Sequence, residues 1–230
     1  MKRNIEIYHM LEGAKKAHGI TVIIDVFRAF SVEAYLMNNN VDKIILVDDI
    51  NKAFNYKKDN PNVILIGERE GKKIDGFDYG NSPKEILNVD FTGKTVIHTT
   101  SAGTRGITNA RNARLVLTGS LLNAKAIVRY IKNSNYNDVS LVCMGLAGIR
   151  DTDEDLLCAE YIKSLLEGKK IDLEERIEKL KETDGKKFFD KNLEMFPMDD
   201  FYLCTKVDIF NFVIKLQKEN NEFVMKKENI

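Results

Sequence analysis

The sequence predicts an α/β fold: a three-layer α/β/α domain with a mixed, mostly parallel sheet and a C-terminal antiparallel hairpin. Three observations carry this reading. Short, continuous runs of β-branched and aliphatic residues recur through the first two thirds of the chain, as in strands buried on both faces. Helical stretches separate these runs, as parallel strands require. Near the end, Phe212, Ile214 and Leu216 alternate with other residues, and Phe223 and Met225 do so after Asn220-Asn221. That pattern reads as a hairpin, expected on the sheet edge.

The elements follow in chain order. A strand over 20–24 runs into Asp25, and a helix is expected over 29–37. A second strand, 43–47, leads through Asp48 and Asp49 into a short amphipathic helix, 50–58, ended by Pro61. Further strands are expected at 63–66, 95–98, 115–118 and 139–143. Residues 153–166 carry Leu156, Leu157, Tyr161, Leu165 and Leu166 at helical spacing. The charged stretch 169–187 reads as surface helix, and Phe196-Pro197 as a turn. No repeat or low-complexity linker divides the chain, so 1–230 is taken as one domain.

Composition narrows the partners. Lys plus Arg number 35 and Asp plus Glu number 35, so no global field favours nucleic acid or membrane, and any anion site must be local. No apolar run approaches the ~20 residues of a membrane span. The opening MKRNIEIYHMLEG lacks the apolar core of a secretion signal. Cys143, Cys158 and Cys204 form neither a disulfide framework nor a zinc pattern. A cytoplasmic protein is expected, with a homodimer as the candidate assembly.

Polar residues concentrate at strand ends, where open α/β sheets bind ligands. Asp25 and Arg28 come first: a hard-cation ligand and an oxyanion fork, or a helix cap and a surface ion pair. The stretch 67–71, GEREG, with Glu68 and Arg69, is followed by GFDYGNSP at 76–83, which holds Asp78, Asn81 and Ser82. Its glycines let backbone approach a ligand, while Asn81 or Ser82 can cap a helix opened by Pro83. Thr99, Thr100, Ser101, Gly103 and Thr104 lie between a strand and a helix, which suits phosphate or an ordinary cap. After the strand at 139–143 come Gly145, Gly148, Asp151, Asp153, Glu154 and Asp155. Asp155 is weighed evenly between metal ligand and helix-dipole partner, and Asp151 and Asp153 are read as the latter. His98 reads as a core histidine. The Walker, serine-hydrolase elbow and D-x-D nucleophile patterns are absent.

Taken together, IDVFRA (24–29), GEREG (67–71), GFDYGNSP (76–83), TTSAGT (99–104), TGSLLNA (118–124), EDLLCAEY (154–161) and FPMDDFYLCTKVDIFNFV (196–213) resemble the 2-phosphosulfolactate phosphatase, or ComB-like, family. The motifs follow the family order over nearly the whole chain. Many relatives carry Asn after the paired threonines, where this chain has Ser101-Ala102. The resemblance implies a Mg²⁺-dependent phosphatase converting (2R)-phospho-3-sulfolactate to 3-sulfolactate and phosphate, a step of coenzyme M synthesis in methanogens. It suggests Asp25, Arg28, Glu68, Arg69 and Asp78 as catalytic residues. Asn81, Ser82, Thr99, Thr100, Ser101, Gly103 and Thr104 would contact substrate. Asp25, Glu68, Asp78 and Asp155 would serve the metal. In-line attack of water on phosphorus is preferred over a covalent Asp25 phosphoenzyme. The competing expectations are a phosphatase for another small acidic phosphoester and a non-catalytic anion-binding regulator.

Overall fold

Every residue from Ala29 to Met37 is buried. This helix is mostly apolar around its circumference, with Ser31 and Glu33 buried among the apolar residues, and a helix of that kind is enclosed rather than laid on a surface. The computed structural model describes residues 3–230; residues 1 and 2 of the expected domain lie outside the described residues.

The chain alternates as expected. β1 (Asn4–His9) leads through α1 (Met10–Lys16) to β2 (Gly19–Ile24), and the enclosed helix is α2 (Ala29–Asn38). Then come β3 (Lys43–Leu46), α3 (Ile50–Asp59), β4 (Ile64–Arg69), β5 (Lys72–Lys73), α4 (Pro83–Ile86), β6 (Thr95–Thr99), α5 (Gly103–Asn109) and β7 (Ala113–Gly119). The later elements are α6 (Ala124–Asn133), β8 (Asp138–Cys143), α7 (Asp153–Glu167), α8 (Leu173–Leu180), α9 (Met198–Cys204), β9 (Phe212–Glu219) and β10 (Glu222–Asn229). The stretch expected as one surface helix over 169–187 is instead α8, a turn, and a short 3₁₀ helix, Lys186–Phe189.

One ten-stranded sheet runs β1-β8-β2-β7-β9-β10-β3-β6-β4-β5. β1, β8, β2 and β7 pair in parallel, as do β3, β6 and β4. The C-terminal hairpin does not cover an edge. It stands in the middle, with β9 antiparallel to β7 and β10 antiparallel to β3. Its burial explains the place. Phe212, Ile214 and Met225 pack in the core around α2, Val213 in the core under α6 and α7, and Val224 in the core beneath α3. Both faces of the hairpin are thus covered by core.

Through this hairpin the two parallel groups run in opposite directions. In a flat sheet their carboxyl ends would lie at opposite rims. Ile23 of β2, Ile44 of β3, Ile66 of β4 and Val142 of β8 nevertheless share one core with α2. The sheet is therefore not flat but curves around α2, and residues at the carboxyl ends of strands from both groups line a single cavity. Among the described residues, no helix is long and apolar enough to cross a membrane. The three cysteines are buried and unpaired with one another.

Candidate active site

The cavity encloses about 370 Å³. Asp25 comes to it from the end of β2, Glu68 from β4, Thr100 and Ser101 from the end of β6, and Glu154 and Asp155 from the first turn of α7. Two cations, Arg28 and Lys187, and two rings, Phe27 and Phe196, also line it.

Backbone amides hold the carboxylates in place. Asp25 Oδ1 accepts from Ala29 N, the first amide of α2, at 3.1 Å. Among the described residues nothing donates to its Oδ2. Glu68 accepts from Ser101 N through Oε1 at 2.7 Å and from Gly71 N through Oε2 at 2.8 Å. Asp155 accepts from Val26 N and from Gly145 N, both at 2.8 Å, and so ties the ends of β2 and β8 together. Glu154 is buried, and its Oε2 has no hydrogen-bond partner among the described residues. Burial disfavours the charged forms. It pushes Asp25 up to about 6, against the pull of the Ala29 amide and with help from the Glu68 charge. It pushes Glu154 up to about 7, with Lys187 opposing. Asp155 stands well above the carboxylate range, through burial first and then the charges of Glu154 and Asp25.

Arg28 is 3 % exposed and largely committed. Its Nη1 donates to Asp200 Oδ2 and to Met195 O, both at 2.8 Å, and its Nη2 to Gly71 O at 3.0 Å. One N–H on Nη2 and the Nε–H remain for an oxyanion. The guanidinium lies over the Phe196 ring, 4.8 Å from its centroid. Gly71 makes that seat possible. Its φ is +80°, and a Cβ there would stand 2.3 Å from Phe196 Cζ.

The remaining candidates divide. Asn81 lines the cavity, and its Oδ1 lies 3.4 Å from His98 Nε2. His98 Nδ1 in turn lies 3.3 Å from Glu33 Oε1 inside the core. Thr100 Oγ1 accepts from Thr104 N at 3.2 Å, so Thr104 acts from behind the wall. Ser82 stands at the N-cap position of α4, but its hydroxyl donates to Asp200 Oδ1 at 2.8 Å instead of capping the helix. Gly103 serves packing: a Cβ there would press on the Phe30 ring. Arg69 points away, donating to Asp48 O and to Thr99 Oγ1, which places both Arg69 and Thr99 outside the cavity.

Asp78 is a correction. Its Oδ2 accepts from Leu65 N at 2.8 Å and pairs with Lys57 Nζ at 3.0 Å. The loop after β5 doubles back beside β4, with Tyr79 bridged to Ile66. Asp78 therefore lies at the amino end of the strand whose carboxyl end carries Glu68, and neither metal nor catalysis at the cavity reaches it. Glu154, Lys187, Phe196 and Asp200 were given no site role from the sequence, although Glu154 stood in the acidic cluster and Phe196 and Asp200 in the motif at 196–213. The two phenylalanines after Lys187 were the one local hint that this lysine is not simply solvated.

The acid excess bears on a cation. Among the described residues, no three His, Cys, Asp or Glu side chains gather closely enough to cage a metal alone. Mg²⁺ does not need such a cage, since it takes one or two carboxylates and keeps several waters. An open Asp25 Oδ2, an orphaned Glu154 Oε2 and buried carboxylates that repel one another are the donor set such an ion suits.

Comparison with known proteins points to one family. The family model for 2-phosphosulpholactate phosphatase matches residues 6–219. A probable 2-phosphosulfolactate phosphatase of Bacillus subtilis is 34% identical over 204 residues, covering 87% of this chain and 88% of that protein. Proteins with the same description from Caldanaerobacter subterraneus and Clostridium acetobutylicum are 33% and 34% identical. They cover 92% and 84% of this chain, and 93% and 87% of their own lengths.

Proposed function

The chain belongs to the 2-phosphosulfolactate phosphatase family, a family of phosphoric monoester hydrolases, and on that premise we propose that it hydrolyses (2R)-phospho-3-sulfolactate to 3-sulfolactate and phosphate with Mg²⁺ as cofactor. The observation that carries this reading is the meeting of Asp25, Glu68, Glu154 and Asp155 with Arg28 and Lys187 in one half-enclosed cavity. A phosphoester that brings several negative charges would be repelled by such walls unless a cation were bound with it.

Asp25 is the residue placed to handle the water. Its Oδ1 is fixed by α2, and its Oδ2 is free to orient a water and take its proton as the water oxygen attacks phosphorus. Burial, which pushes Asp25 up to about 6, makes it a better base near neutral pH than an exposed aspartate. The two uncommitted N–H groups of Arg28 stabilise charge that builds on the phosphoryl oxygens in line with the breaking ester bond. Glu68 holds the loops at Gly71 and Ser101 against the cavity. A bound Mg²⁺, held by Glu68 or the Glu154–Asp155 pair beside Asp25 rather than on its free oxygen, would supply neutralisation of the carboxylates and Lewis-acid stabilisation of the phosphoryl charge.

Release of phosphate from phosphosulfolactate, measured with Mg²⁺ and after chelation, tests the proposal. Turnover that depends on added Mg²⁺ and is lost in Asp25→Asn is expected. Binding without phosphate release in excess Mg²⁺ would overturn it in favour of an anion-binding regulator. Preference for a phosphoester that lacks sulfonate would move the substrate, not the chemistry.

A further inference from the structure

We propose that Lys187 is the specificity-determining residue of this site, binding a second acidic group, a sulfonate or a carboxylate, on the phosphoester's tail. The inference rests on the function proposed above and names the side chain that selects its substrate class.

Of the two cations that line the cavity, Arg28 is already matched by the buried carboxylate of Asp200. Lys187 has no carboxylate within ion-pairing distance among the described residues, although it stands half-buried. Its ammonium rests among three rings, 5.7 Å from the centroid of Phe27, 5.4 Å from Phe188 and 5.2 Å from Phe196. Rings hold an ammonium by their negative faces without cancelling its charge, and they cover its carbon stem. The result is a positioned cation whose hydrogen-bonding capacity is unused.

Lys187 reaches the cavity from a part of the fold that supplies none of the phosphoryl-end groups. Asp25, Glu68 and Ser101 come from strand ends of the bent sheet, whereas Lys187 comes from the 3₁₀ helix Lys186–Phe189, outside the sheet. Arg28 and Lys187 both abut the Phe196 ring, at 4.8 and 5.2 Å from its centroid. A ligand whose phosphoryl group sits by Asp25 and Arg28 therefore meets Lys187 with whatever lies beyond its ester oxygen. A neutral tail would leave the ammonium unmatched, and an acidic tail would complete it. A charge-assisted contact of this kind corresponds to about 10–100-fold in binding.

Lys187→Met keeps the stem and removes the charge, and Lys187→Arg keeps a cation. The readouts are kcat/KM for phosphosulfolactate, 2-phospholactate and isopropyl phosphate, and calorimetric affinity for 3-sulfolactate. In Lys187→Met the preference for phosphosulfolactate over isopropyl phosphate should fall at least tenfold, mostly through KM, and Lys187→Arg should restore much of it. Sulfolactate affinity should fall in parallel. The 2-phospholactate arm tells sulfonate from carboxylate: a loss equal to that for phosphosulfolactate means that the carboxylate is the group held. An equal loss on all three esters, or unchanged sulfolactate affinity, would overturn the proposal and leave Lys187 as a counter-charge for Glu154. Failure of the wild-type protein to release phosphate from any ester would instead refute the function on which the inference rests, and the sulfolactate affinities would still decide the role of Lys187.

Discussion

Arg28 and Asp200 form a buried ion pair, with Nη1 and Oδ2 at 2.8 Å and side chains 3% and 0% exposed. Asp200 Oδ1 is equally engaged, accepting from Ser82 Oγ and from Lys84 N. One carboxylate on α9 thus fixes the arginine after β2 and the start of α4. Removing one partner of such a pair leaves a buried charge, at a cost of about 3–5 kcal/mol. Asp200→Ala should lose that much in urea denaturation, whereas Ser82→Ala should lose only about 1 kcal/mol. A midpoint for Asp200→Ala that matches wild type would show that Arg28 finds another anchor.

Asp25→Asn should separate activity from stability. With the base gone, kcat should fall by about 10²–10⁴-fold. The fold should not weaken in proportion, because the amide oxygen can still accept from Ala29 N and the buried charge is removed. Matched phosphate-release assays and thermal melts check both. Activity within a few-fold of wild type would remove Asp25 from the chemistry.

The pH response follows from the sign of the same shift. Asp25 titrates at about 6 in the folded protein, against about 3.9 when unfolded. Between those values the folded state binds more protons, so stability is lost as pH rises through that window. Measured against Asp25→Asn and without metal, wild type should therefore lose on the order of 2–3 kcal/mol between pH 4 and pH 7.5. A bound cation favours the ionised form, so Mg²⁺ should raise the melting temperature more at pH 7.5 than at pH 5.5. An equal rise at both pH values would mean that the ion does not meet these carboxylates.

Asp78→Asn should leave kcat/KM within about threefold and cost roughly 1–2 kcal/mol of stability, since its partners are Leu65 N and Lys57. A hundredfold loss of activity in a stably folded Asp78→Asn would return this residue to the site.

Gly71→Ala strikes the cavity wall from behind. Its positive φ and the blocked space beside Phe196 Cζ together imply a loss of about 1–3 kcal/mol. Displacing Phe196 also disturbs the seat of Arg28, so kcat/KM should fall with stability. Wild-type kinetics in this variant would show that the ring can move without consequence.

The strands at 20–24, 43–47, 63–66, 95–98, 115–118 and 139–143 were legible because each is largely buried and reads as a short run rich in aliphatic and β-branched residues. β1 was not, because NIEIYH is an edge strand that carries Glu6 toward solvent. The hairpin's alternation was visible, but not its neighbours: Val213 and Val224 mark its second buried face only once the cores on each side are known. Asp25, Glu68 and Asp155 were legible as charge at strand and helix ends. Asp78 was misread because sequence order does not record that a loop has turned back along its own strand. Lys187 was hidden in a charged run, and Asp200 stood in the motif at 196–213 without any sign of which partner it would meet.

The central hairpin also sets an order on assembly. All the parallel strands have been made by residue 143, yet among the described residues no strand of one group pairs with a strand of the other, and the sheet is continuous only through residues 212–229. The ribosome must therefore deliver nearly the entire polypeptide before the catalytic cleft can close, and until then two exposed strand edges, β7 and β3, wait unpartnered and open to wrong associations.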